Sequence, residues 1–330
     1  MTRFLSIAIG ILVTFASIAV AEDVWVTSIA THPSGGRYAG SATGLLLRPS
    51  EVYRWTDDAF DDRTVIATHP AAVWCVDVCD NGSHVASSDY RGNLQIIDTV
   101  SGEAKMHEGI FERWTQAMRF APNGDTIVAG NEAGKFFVFA DGGITKTVDV
   151  DKNAITDIDF SAAGDRIVLS DGGGLVHLFT WPAMEPAGKI KVGDSPAWAV
   201  RFSPDASILL VGSGDRHLYR CAAADGAAPE VILNGTDWVT RIAVTTTGAI
   251  AAGEVGGKVY VLANANPPTP DTPPAGTAPS GVWALHWSGP SRLMVGTRKN
   301  GVMPLEQAWT FAEAAAPAEP QSDESSDDDH

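Results

Sequence analysis

Three stretches decide the reading of this chain: MRFAPNGDTIVAGNEAGKFFVF (118–139), IDFSAAGDRIVLSDGGGLVHLF (158–179) and VRFSPDASILLVGSGDRHLYRC (200–221). Each opens on an apolar segment ending in Phe, crosses a polar turn of the Ser/Ala-Pro-Asn/Asp-Gly kind, and continues as an alternating strand. A glycine-rich turn and a third alternating strand complete the unit. Period-two alternation between tight turns is the signature of short β-strands. Fainter copies are VDVCDNGSHVASSDYRGNLQIID (76–98), with Val78 in the Phe position, IAVTTTGAIAAGEVGGKVYVL (242–262), LHWSGPSRLMVGTRKNG (285–301) and IATHPSGGRYAGSATG (29–44).

Aligned on the end of the first strand, at Thr31, Val78, Phe120, Phe160, Phe202, Val244 and Trp287, the seven copies recur at intervals of about 40 to 47 residues. That is the size of one four-stranded blade. Within the copies the positions between the alternating apolar residues are often apolar too. A sheet buried on both faces reads this way, as in a ring where each blade packs between two neighbours. The expectation is an all-β fold: a seven-bladed β-propeller of four-stranded antiparallel blades in a closed ring.

The pattern Val-x-x-Phe-Ser-Pro-Asp, a small-residue strand, Asp-x-Gly and an apolar strand ending in Asp resembles the WD40 repeat over roughly residues 24–311. The resemblance implies a rigid disc that holds protein or peptide partners. The strand-ending Trp-Asp pair of the family is replaced by Ile97-Asp98, and elsewhere by Phe139-Ala140, Phe179-Thr180 and Leu262-Ala263. The family's buried His, Ser, Asp and Trp network is best approximated by His69, Ser87 and Asp89, with Ile97 where Trp would stand.

The rest of the 330-residue chain divides around this core. Residues 1–21, MTRFLSIAIGILVTFASIAVA, have one basic residue, an apolar run and an Ala-Val-Ala end, the layout of a signal peptide cleaved after Ala21. The competing reading is an uncleaved membrane anchor. The propeller is expected over 22–312. From 313 to 330 seven acidic side chains occur without a basic one, the composition of a solvated, disordered tail. A Pro-rich insertion at 263–281 cannot donate to a ladder at its prolines, so the outer strand there should be missing, displaced or very short. Ring closure is assigned to the run Gln307 to Phe311. Cys75, Cys79 and Cys221 are too few for a disulfide scaffold and are expected as buried thiols. With 45% hydrophobic residues and a net charge of −17, the chain has ample core and a poor surface for phosphate backbones, so nucleic acid is excluded as a first partner.

Tryptophan is the most informative candidate site. Trp25, Trp114 and Trp238 stand six residues before the aligned strand end, and Trp74, Trp198 and Trp283 stand four before it. Six copies thus place an indole near the start of the inner strand, at one rim of the central channel, where the family contacts partners. These six are the expected partner-binding residues; their alternative role is to fill gaps between blades. Asp149, Asp151, Asn153 and Asp157 have the one, three, five, nine spacing of a Ca²⁺ loop. Ala154 replaces the glycine of the sharp turn and Phe160 the final Glu, so the segment reads as a loop and inner strand and no metal is assigned. His69, His84, Cys75 and Cys79 share one repeat but read as core or turn residues, and Asp89, Glu132 and Asp171 as turn-locking carboxylates. No catalytic or cofactor motif is found.

The expectation is an exported, periplasmic or secreted, non-catalytic monomer that binds a protein or peptide through the Trp-bearing rim. A carbohydrate-binding propeller using the same indoles and a propeller-fold hydrolase or lyase are the alternatives. Expressed in a secreting host, the mature chain should begin at Glu22. Intact mass and N-terminal sequencing check this, and a retained residue 1–21 segment would favour the anchor.

Overall fold

The computed structural model describes residues 23–56, 60–122, 124, 126–265, 269–289 and 291–306. The signal segment, the run Gln307 to Phe311 and the acidic tail lie outside the described residues. Alternating strands and glycine turns give seven antiparallel sheets, each a simple meander. Blade 1 comprises β1 (Trp25–Thr31), β2 (Arg37–Ala42), β3 (Ser50–Trp55) and β4 (Thr64–His69). Blade 2 holds β5 (Val73–Val78), β6 (His84–Asp89), β7 (Leu94–Asp98) and β8 (Ala104–His107). Blade 3 is β9 (Thr115–Phe120), β10 (Ile127–Asn131), β11 (Lys135–Ala140) and β12 (Gly143–Asp149), and blade 4 is β13 (Ile155–Phe160), β14 (Arg166–Asp171), β15 (Leu175–Thr180) and β16 (Pro186–Lys191). Blade 5 has β17 (Ala197–Phe202), β18 (Ile208–Ser213), β19 (His217–Ala222) and β20 (Glu230–Asn234), and blade 6 has β21 (Val239–Val244), β22 (Ile250–Glu254), β23 (Lys258–Leu262) and β24 (Gly276–Thr277). Blade 7 shows three strands among the described residues, β25 (Val282–Gly289), β26 (Arg292–Thr297) and β27 (Val302–Glu306). Six of the seven inner strands end on the residue used for the sequence alignment, and β25 runs two residues past Trp287. No helix among the described residues is long and apolar enough to cross a membrane.

The core is divided among the seven blade interfaces. Val168, Val176, Leu178 and Ile190 of blade 4, for example, pack on Val200, Phe202, Leu209 and Val211 of blade 5. Closure uses the same kind of contact: Val26, Ala39, Tyr53 and Trp55 of blade 1 meet Ala284, Met294 and Val302 of blade 7. The sheets approach so closely that a glycine recurs in the second strand. A Cβ on Gly40, Gly130, Gly253 or Gly296 would fall 2.8, 2.4, 2.6 and 2.8 Å from Val73, Ile155, Val282 and Val26 respectively, each β-branched and near the start of the next inner strand. Val24 adds a parallel bridge to Asn300, with its N–H on the Lys299 carbonyl at 3.2 Å. Among the described residues, therefore, the ring closes through the N-terminal end of blade 1 packing on blade 7.

The Pro-rich insertion leaves blade 6 with a two-residue outer strand, as expected from ring nitrogens that cannot donate. The segment leans instead on blade 5, where Asn234 N–H donates to the Pro270 carbonyl at 2.8 Å and Arg220 to that of Ala265 at 2.9 Å. The three cysteines are buried and unpaired.

Gly130→Val should destabilise the protein by about 2 kcal/mol or more, because overpacking forces the Ile155 contact apart. Gly143→Ala, at a position with open space around it, should stay within about 0.5 kcal/mol. Urea midpoints check both, and equal midpoints would show that the close approach is not limiting.

Candidate binding mouth of the channel

In an antiparallel blade the start of the inner strand, the end of the second and the start of the third share one face of the disc. All seven inner strands carry a register shift near that start, at Thr27, Trp74, Gln116, Thr156, Trp198, Thr240 and Trp283. A bulge inserts one extra residue and re-aims its side chain. Every one of these seven lines the central cavities.

The bulges account for the two tryptophan offsets. Trp74, Trp198 and Trp283 are the bulged residues themselves. Trp25, Trp114 and Trp238 stand two residues before a polar bulge, at Thr27, Gln116 and Thr240. The three threonine bulges fasten neighbouring blades. Thr27 Oγ1 donates to the Val73 carbonyl at 2.6 Å, Thr240 Oγ1 to that of Val282 at 3.0 Å, and Thr156 Oγ1 to that of Ala197. Each acceptor immediately precedes a bulged tryptophan.

Five of the six indoles, Trp74, Trp114, Trp198, Trp238 and Trp283, line one vestibule of about 90 Å³. Trp25 stands behind it, its ring centroid 5.6 Å from Trp74 and 5.2 Å from Trp283. Trp74 continues the chain of contacts to Trp114 at 5.1 Å, while Trp198 and Trp238 stack at 5.8 Å. Trp25 and Trp74 are buried and Trp238 is 47% exposed. The indole N–H groups of Trp25, Trp74, Trp114, Trp198 and Trp283 find no acceptor among the described residues. Blade 4 has tryptophan at neither position, with Thr156 at its bulge and Ala154 two residues before it, so the collar is open there.

Below the vestibule the channel widens to a cavity of about 350 Å³ that shares Trp74, Gln116, Thr156 and Arg241 with it. Its titratable residues were missed in the sequence, although MRF, IDF and VRF display them: the residue before the strand end is Arg119, Asp159, Arg201 or His286 in four of the lining strands, and Asp77 holds the same place in blade 2. Four of these side chains, those of Asp77, Arg119, Asp159 and His286, reach the next blade, and Arg201 reaches back to the preceding one. Phe120 N–H donates to Asp77 at 2.7 Å, Phe202 N–H to Asp159 at 2.8 Å, and Arg119 Nε to the Ile158 carbonyl at 3.3 Å. Burial raises the Asp77 and Asp159 pKa values against the pull of nearby arginines. Arg201 pairs with Asp157. Burial, with Arg119 and Arg37 nearby, pushes His286 down to about 4.

Other sequence candidates are placed in the frame of the fold. His69 ends β4 of blade 1 yet lies 2.8 Å from Ser87 Oγ and 3.2 Å from Asp89 Oδ2 in blade 2. Burial opposes the Asp89 charge, but bonds from His69 and Asn93 hold its carboxyl below the ordinary range. The turn-locking residue of blade 3 is Asn131, whose Oδ1 accepts from Ala133 and Lys135 N–H; Glu132 faces Arg113 at 3.8 Å instead. The spaced acids do not converge, since Asp149 ends β12 and Asp157 faces Arg201. Asp151 approaches Asp171 and His177, but Asp171 is already bonded to Gly173 N–H, Leu175 N–H and His177 Nε2. His84 bonds Ser83 and Cys79 bonds Asn81, away from Cys75, which contacts the Gln116 carbonyl.

Against known families, residues 61–98 and 187–219 match the WD domain, G-beta repeat. The chain is a WD40-repeat propeller. Both matches begin at the outer strand of one blade, β4 or β16, and run into the next, so the WD40 repeat straddles two blades. The His69 contacts are the chemical form of that overlap.

The folded His286 imidazole resists protonation between about pH 6.5 and 4, whereas the unfolded one takes up a proton there. Its contribution is fully present above pH 6.5 and is lost as pH falls through 4, a cost on the order of 3 kcal/mol. Relative to wild type, His286→Gln should gain stability by that order between pH 7 and 4 in urea titrations. Parallel curves would contradict it.

Proposed function

We propose that this WD40 propeller is an exported, non-catalytic scaffold that grips a protein or peptide partner at the tryptophan-bearing mouth. The carrying observation is the convergence of five indoles on one vestibule, with Trp238 open to solvent. The loop between β2 and β3 adds exposed Leu45 and Leu47, and its Leu46 packs in the cluster that holds Trp25 and Trp74. Large aromatic area beside exposed leucines suits a partner hot spot. WD40 domains generally mediate protein interactions. The vestibule lining of indoles, amide, hydroxyls and one guanidinium supplies contacts and no proton-transfer pair.

The test immobilises wild type and Trp238→Ala, passes cell-envelope extract over each, and quantifies retained proteins by mass spectrometry beside a glycan array. Trp238 is exposed, so its loss should spare stability and reduce a defined retained set by about tenfold or more. Retention indifferent to Trp238 and Leu47→Ser would defeat the proposal, and glycan binding lost with Trp238 would favour the carbohydrate reading.

A further inference from the structure

Arg241 is a charge without a counter-ion among the described residues. It sits one residue past the Thr240 bulge and lines both the vestibule and the channel. Its Nε donates to the Trp283 carbonyl at 2.6 Å and one Nη to that of Thr240 at 2.7 Å. These bonds hold the guanidinium in place beneath the collar, 6.0 Å from the Trp283 ring. The second Nη makes no hydrogen bond among the described residues, and no carboxylate there lies within 4.0 Å of the guanidinium. The nearest acid influence, Asp157, is engaged by Arg201. Burial lowers the Arg241 pKa even so, but a guanidinium stays charged at any ordinary pH. An enclosed cation that is fixed by carbonyls and lacks an acid is a standing invitation to an anion.

The surroundings narrow the anion. Arg241 is the one charge in the vestibule lining, so a monoanion is balanced there and a dianion is not. About 90 Å³ admits a carboxylate and a small side chain, not a folded element. The walls are indole, which favours an apolar group next to the charge, and the collar has donors to spare in its unpartnered indole N–H groups. We infer that the vestibule receives the C-terminal carboxylate of an extended peptide, with Arg241 bonding the carboxylate and the tryptophans enclosing the terminal side chain. This rests on the partner-binding reading above and specifies which end of the partner enters.

The experiment uses the full chain and an array of random hexapeptides tethered at their N-termini, displayed once with free C-termini and once amidated. Free-acid peptides should bind about ten- to a hundredfold more tightly than their amides, the scale of a charged hydrogen bond. Arg241→Gln should abolish that difference, binding both forms alike. Amidation alone tests the claim on wild-type protein, so an unstable Arg241→Gln leaves the result readable. Equal binding of acids and amides by wild type would overturn the carboxylate site while leaving the partner-binding mouth intact. No binding on either array would overturn both. A parallel titration of intrinsic tryptophan fluorescence with N-acetylglycine addresses the source of the carboxylate. Weak, Arg241-dependent binding supports the chain-end assignment, whereas binding as tight as the best peptide would make the pocket a small-carboxylate site and overturn it.

Discussion

Everything in this disc depends on how closely one sheet can lie on the next. At five of the interfaces a glycine near the end of one blade's second strand meets a β-branched residue of the following inner strand, and at Gly40, Gly130, Gly212, Gly253 and Gly296 there is no room for a Cβ. With such contacts at five interfaces, and the small buried Ser88 and Ser170 in the same register of blades 2 and 4, the wedge between adjacent blades is set by side-chain volume, and the last wedge brings blade 7 back onto blade 1. Gly296 against Val26 is the closing contact and is chemically the same as the others. A dense interior does not deform gradually, so the ring geometry is over-determined by these repeated contacts.

Hydrogen bonds then fasten the packed blades to one another. Threonine hydroxyls at the bulges of blades 1, 4 and 6 reach carbonyls of blades 2, 5 and 7. Asp77 and Asp159, each one residue before the end of its inner strand, accept backbone N–H groups of blades 3 and 5. On the outer side His69 carries blade 1 into the Ser87–Asp89 pair of blade 2. Polar groups placed this way are directional where hydrophobic contacts are not. The channel is consequently lined with charge that mostly serves the ring, and Arg241 differs from its neighbours in having carbonyl partners but, among the described residues, no acid.

The same bulges that join the blades also make the mouth. One extra residue at each inner strand start turns a side chain toward the axis, and the chain fills that position with Trp, Thr or Gln. Where the bulge is polar in blades 1, 3 and 6, a tryptophan two residues earlier covers it. Blade 4 breaks the scheme with Thr156 and Ala154, which leaves the collar open on that side.

Much of this was legible in the sequence. Alternation, turn chemistry and a period near forty residues specify short strands in repeated units, because those signals act between residues close along the chain. The strand ends at Phe120, Phe160 and Phe202 and the short outer strand after the prolines follow from that local information. The charged step in MRF, IDF and VRF was visible but carried no meaning until seven inner strands faced one axis. Whether Glu132 or Asn131 locks a turn, why tryptophan alternates between two offsets, and which arginine is left without an acid were decided by tertiary structure. Each depends on an atom from another blade arriving within bonding distance, and residues some forty positions apart announce no such distance in their order.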